Sequence, residues 1–145
     1  MQTAILLDLQ EMEAVAATRT RVFQPDTLVS RTDSIEIYSV EMTDEYTRVD
    51  FVAWADPSLV DGGSFTIDKN IVLRPAGYAQ KMPLLRALHI DFSPMKHYFK
   101  GRYDQHRFSL FFPALERQVV AFDLLATKGE LAMEGIMIRG GYTAA

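Results

Sequence analysis

At 145 residues and 16.4 kDa the chain has the size of a single domain, able to bury roughly two-thirds of the surface its unfolded form exposes. Its 48% hydrophobic and 23% charged residues suit a packed core and exclude disorder as the overall state. The absence of cysteine removes disulfides, thiolate metal sites and cysteine nucleophiles, and a net charge of −4 with a pI near 5.3 argues against nucleic acid as the main partner.

The stretch from Thr3 to Ala17 places Ile5, Leu9, Met12 and Ala16 at helical spacing, while Ile5, Leu7 and Leu9 also alternate. A short N-terminal helix is the first reading and a strand its rival. Asp8, Glu11 and Glu13 interrupt this run, and no basic residue precedes it, so it does not have the form of a signal peptide. No stretch approaches the roughly 18 apolar residues that cross a bilayer, and no membrane span is expected. Pro25-Asp26 then punctuates the chain, which divides into an N-terminal segment, 1–32, and a β domain, 33–145.

From Ser34 the apolar period changes to two. Ile35 and Ile37 alternate in one phase and Tyr38, Val40 and Met42 in the other, the signature of one extra residue, a bulge near Tyr38 or Ser39. After the polar turn Thr43-Asp-Glu45, alternation resumes over Tyr46–Trp54 with Val49, Phe51 and Ala53 inward and Arg48 and Asp50 outward, which completes a hairpin. Asp56-Pro57 and Asp61-Gly-Gly63 break the chain before short strands at Ser64–Ile67 and Ile71–Leu73. Met82 to Ile90 fits an extended segment ending at Asp91, because Pro83 stands near its start. Ser93 to Gln105 is read as a loop. Arg107 to Phe112 alternates with Phe108, Leu110 and Phe112 inward and stops at Pro113. Val119–Leu125 and Leu131–Arg139 flank a hairpin turn at Lys128-Gly129. The expected core comprises Val49, Phe51, Phe108, Leu110, Phe112 and Phe122, and the fold class is mainly β, an antiparallel sandwich or barrel.

Candidate chemistry is sparse. His89, His97 and His106, with Asp91 and Asp104, flank one segment but lack the paired spacing of a zinc motif, so surface or capping roles are expected and no metal or cofactor. Ser58, Ser64, Ser93 and Ser109 lack a Gly-x-Ser-x-Gly elbow, and the Gly-Gly pairs at 62–63 and 140–141 lack a phosphate-loop pattern. Glu41, Asp44 and Glu45 read as hairpin solubility rather than a glycosidase pair. No catalytic residue is expected. The remaining candidate is an interaction loop of Lys96, Tyr98, Phe99, Lys100, Arg102 and Tyr103, where aromatics alternate with cations on an otherwise acidic chain. Its opposite reading turns Tyr98, Phe99 or Tyr103 inward to cover an end of the fold. A loop of this kind suits an acidic protein or an anionic glycan better than DNA.

The run Ile35-Glu-Ile37, Val40, Thr43-Asp44, Thr47, Val49 and Phe51 is followed by Ile71, Leu73, Gly77, Met82-Pro-Leu84 and Ala87. Phe108-Ser-Leu110-Phe-Phe-Pro113-Ala-Leu115, Phe122-Asp-Leu124 and Gly135-Ile136 complete the series. Together they resemble an immunoglobulin-like β-sandwich module of bacterial cell-envelope proteins, sometimes joined to a thioredoxin-like domain. The resemblance spans about Asp33 to Gly140 and implies an antiparallel sandwich and a periplasmic or envelope location; without a Cys-x-x-Cys it carries over no redox function. The expected function is a non-enzymatic interaction or accessory module. The alternative is a small-ligand carrier or enzyme with its site in the mouth of the sandwich or barrel.

Overall fold

Alternation of apolar and polar side chains over Ile35–Met42 and Tyr46–Trp54 dictates two long strands, because each buries every second residue against one face. The computed structural model describes residues 20–32, 34–127 and 131–139. The stretch Thr3–Ala17, Asp33, the Lys128-Gly129 turn and Gly140-Gly141 lie outside them. Among the described residues the regular structure is β throughout. The strands are β1 (Arg21–Phe23), β2 (Arg31–Thr32), β3 (Ile35–Met42), β4 (Tyr46–Trp54), β5 (Ser64–Phe65) and β6 (Val72–Pro75), then β7 (Met82–Pro83), β8 (Arg86–Leu88), β9 (His97–Tyr98), β10 (Gln105–Pro113), β11 (Ala121–Leu125) and β12 (Met133–Met137).

Every pairing between these strands is antiparallel. One sheet runs β1-β3-β4-β10-β8 with β2 also on β3, a second runs β12-β11-β6-β7, and β5 and β9 form a separate ribbon. β1 and β2 come from the stretch 1–32, so the first sheet begins within it. The β3–β4 register passes from Ile37↔Phe51 to Ser39↔Asp50, which leaves Tyr38 as the extra residue of the expected bulge. The hairpin turn is closed by Thr43, whose hydroxyl accepts the amides of Glu45 and Tyr46, each at 3.1 Å.

β10 lies between β4 and β8 in the first sheet and pairs Phe108 with Phe51 and Leu110 with Val49. It continues through Pro113, which pairs with Tyr46, one residue beyond the expected stop. The segment Met82–Ile90 is extended, as its proline suggests, but it serves both sheets. β7 pairs with β6 at the edge of the second sheet, where Pro83 leaves no central donor missing. The chain then crosses over, the Leu85 amide donates to the Phe111 carbonyl at 2.8 Å, and β8 joins β10 in the first sheet.

The two sheets and the ribbon share one apolar core. The six expected core residues, Val49, Phe51, Phe108, Leu110, Phe112 and Phe122, are all at most 1% exposed. Ile35, Ile37 and Val40 from β3, Leu73 from β6, Leu124 from β11 and Ile136 from β12 complete its centre. On the other face of the first sheet Asp50 and Ser109 are also buried, and their polar atoms pair: Ser109 donates its hydroxyl to the Asp50 carboxylate, which also receives Arg48 Nε at 2.8 Å.

Candidate functional site

The segment Ser93–Gln105 is not the plain loop its composition predicts. The Ser93–Pro94 peptide is cis, the Ser93 amide donates to the Ile67 carbonyl at 2.8 Å, and Thr66 Oγ1 donates to the Met95 carbonyl at 3.0 Å. His97 and Tyr98 then form β9 against β5, with Ser64 opposite Tyr98 and Phe65 opposite His97. Two residues are too few to show a period, which is why alternation could not reveal this strand.

The pleat of β9 sorts the predicted interaction residues. Tyr98 points out and is 70% exposed, while Phe99 is buried at 8%. The Phe99 ring stacks on Phe65 at 5.5 Å between centroids, Phe65 lies 5.8 Å from Phe108, and Phe108 stacks on Phe51 at 4.9 Å. Phe99 is therefore an anchor rather than a contact surface, and a row of rings ties the segment to the core.

Beyond Phe99 the chain turns at Lys100–Asp104. The Asp104 carboxylate accepts the Lys100 amide through Oδ2 and the Gln105 amide through Oδ1, both at 2.8 Å. The Lys100 amide is the main reason that this carboxyl is held below its usual range. Gly62 meets the turn from below: its φ is +82°, and a Cβ there would lie 2.2 Å from the Gly101 carbonyl oxygen. The turn presents Lys100, Arg102 and Tyr103 to solvent, with Tyr103 84% exposed.

Arg102 and Tyr103 line an open groove of about 1020 Å³ together with Phe99, Asp104, Arg31, Glu36, Trp54 and Leu59, among others. β2 supplies Arg31, β3 supplies Glu36 and the end of β4 supplies Trp54. The Arg31 guanidinium sits over the Trp54 ring, 5.9 Å from its centre. Lys96 lies elsewhere, in a second recess of about 310 Å³ with His89, Ile90, Asp91 and His97, and Tyr98 and Lys100 line neither recess. The structure thus brings together Arg102, Tyr103 and the base of Phe99 out of the predicted loop.

Arg31 and Trp54 were not legible as site residues. For Trp54 a signal existed, because it falls in the outward phase of β4 with Arg48 and Asp50, just before the Asp56-Pro57 break. Arg31 carried none.

The histidines flank the ribbon. His97 and His106 stack at 3.8 Å between centroids, and His106 Nε2 contacts the carbonyl of His89, itself at φ 64°. Burial, and secondarily His106, pushes the His97 pKa below its usual value against the opposing pull of Asp104. Among the described residues no group of three or more histidine, cysteine or carboxylate side chains is placed to hold a metal ion. Nor, among them, is any helix long and apolar enough to cross a membrane.

No protein-family description, curated protein or solved structure matches the chain.

Proposed function

We propose that the chain is a non-catalytic interaction module, built on an immunoglobulin-like β-sandwich of the kind found in bacterial cell-envelope proteins, and that it engages an anionic partner at the groove between Trp54 and Tyr103. The observation that carries this reading is the pair Arg31 and Arg102 on the groove, neither in an ion pair among the described residues, beside two exposed aromatic rings. Aromatic and arginine side chains of this kind supply most of the energy of interfaces. Three carboxylates, Glu36, Asp56 and Asp104, line the same groove, so a partner there meets both signs of charge. The groove opens at the surface, outside a core closed by Phe51, Phe108, Phe112 and Phe122, and this supports a binding face rather than an internal carrier pocket. The immunoglobulin-like form and envelope setting rest on the order of sequence motifs between Asp33 and Gly140, the Phe-x-Leu-x-Phe-Pro string of β10 among them.

The test is retention of the folded chain on heparin and polyglutamate beads at low salt, against a variant carrying Arg31→Gln, Arg102→Gln and Tyr103→Ala. The wild-type chain is expected to be held by at least one matrix, and the variant, with unchanged circular dichroism, to pass through. Equal behaviour of the two proteins overturns the proposal.

A further inference from the structure

We infer that the outer face of the first sheet is the contact of a two-fold dimer, with a second copy of the chain laid against it face to face. The strand registers sort the side chains of this face into rows. Glu36 of β3 stands beside Val52 of β4, which stands beside Arg107 of β10. Ser39, Asp50, Ser109 and Leu88 form the next row, and Glu41, Arg48, Phe111 and Arg86 the one after it. The β3 side thus carries a carboxylate in the first and third rows, and the β10–β8 side carries a guanidinium group in the same two rows. Arg31 of β2 stands opposite Glu36 and offsets it in part, whereas the neighbour of Glu41 on β1 is Val22. Arg48, on the other side of Glu41, gives its Nε to Asp50 at 2.8 Å.

A face divided in this way complements its own copy in one orientation. A two-fold axis parallel to the strands, over β4 and β10, keeps the rows level and exchanges the sides. It brings Glu41 to Arg86 and Glu36 to Arg107 of the second copy, and each contact is made twice, as an isologous interface requires. An axis across the strands lays β3 on β3 and inverts the rows, which sets Glu36 against Glu41. Charge therefore selects both the occupant and its orientation. The centre of the face is already neutral: Asp50 is 8% and Ser109 4% exposed although they point away from the core, and Asp50 receives both the Ser109 hydroxyl and Arg48 Nε. Phe111 adds apolar area, with the Arg48 and Arg86 guanidinium groups 5.4 and 4.9 Å from its ring centre. Arg107 lies 5.1 Å over Tyr38. Arg86 and Arg107 are exposed and in no ion pair among the described residues, and these rings hold their planar groups over the face. The face is small beside a standard interface of about 800 Å² per partner, so the dimer is weak and sensitive to salt.

The full chain is followed by sedimentation equilibrium from about 1 μM to about 1 mM, in low and in high salt. A dimer that weakens as salt rises is expected. Glu41→Lys and Arg86→Glu, at positions that do not line the groove, are each expected to weaken self-association at least about tenfold, because each turns two attractive contacts into repulsive ones. Mixed in equal amounts, the two variants are expected to pair with each other: the introduced lysine meets the introduced glutamate, and native Arg86 meets native Glu41. Glu41 also accepts the Tyr46 hydroxyl at 2.7 Å, so Glu41→Gln, which keeps an acceptor there, serves if the lysine variant does not fold and is likewise expected to weaken the dimer. A wild-type chain that stays monomeric throughout overturns the inference. A dimer that survives both reversals uses another face and overturns it too, as do folded variants that dissociate alone and fail to restore each other when mixed.

Discussion

Phe108 stands where three lines of contact meet: it pairs across the first sheet with Phe51, stacks on that ring at 4.9 Å, and receives Phe65 of the ribbon at 5.8 Å. It is 1% exposed, so truncation leaves a cavity that neighbouring rings cannot close without moving. Phe108→Ala is expected to cost about 3–5 kcal/mol, measured as the change in urea midpoint at constant slope. Unchanged stability would place this ring outside the core. Its inward direction was legible because Phe108, Leu110 and Phe112 repeat with period two and a wrong phase would have exposed all three. Phe99 was not legible in the same way. It stands among Tyr98, Lys100, Arg102 and Tyr103, where no period separates an anchoring ring from an exposed one.

At the scale of elements, polar contacts tie strands that the apolar pattern alone leaves independent. Asp123 on β11 accepts Arg74 of β6 and the Gly135 amide of β12, both at 2.7 Å. The Gly135 amide, then Arg74, hold this carboxyl below its usual range. A depressed carboxyl contributes stability that is fully present above its unfolded value, near 3.8, and is lost as pH falls through the lower folded value. Asp123→Asn is therefore expected to lower the melting temperature at neutral pH and to flatten the acid limb of the stability profile. An acid limb identical to that of the wild-type protein would remove Asp123 from this role. The string Phe122-Asp-Leu124 marked a strand in the sequence, but the partners of Asp123 lie 49 and 12 positions away in the chain and could not be read from it.

His97, stacked on His106 at the junction of β9 and β10, acts with the same sign but in a window at higher pH. Burial favours neutral His97 in the folded state, so the unfolded state binds more protons between the depressed folded value and the ordinary 6.5. Stability is full above that window and falls as pH drops through it. Urea midpoints taken from about pH 7.5 to about pH 5 are expected to decline in the wild-type protein and to decline less in His97→Gln. The same decline in both proteins would separate His97 from the acid response. The sequence offered His97 and His106 only as separated, metal-poor histidines; a two-residue strand brings them face to face.

Across the whole molecule, the row Phe99–Phe65–Phe108–Phe51 runs from the groove segment into the shared core, and the Ala55 amide joins the same segment to β4 by donating to the Asp104 carbonyl at 2.9 Å. The groove end has no core of its own: Phe65 and Phe99 are members of the same apolar cluster as both sheets. Such an arrangement makes the ribbon and groove part of one cooperative unit rather than a locally melting attachment. Trp54, the last residue of β4 and paired with Gln105 of β10, reports the groove end of the first sheet, while far-ultraviolet circular dichroism reports the strands of both sheets. In the wild-type chain the two signals are expected to give the same urea midpoint and slope. In Phe65→Ala the row is cut at its second ring, and the tryptophan transition is expected to move to lower urea than the circular dichroism transition, because the segment then loses its link to Phe108 before the sheets lose each other. Separate transitions in the wild-type chain would show that the groove end folds apart from the sheets, and coincident transitions in Phe65→Ala would show that the row of rings is not what couples the groove end to the sheets.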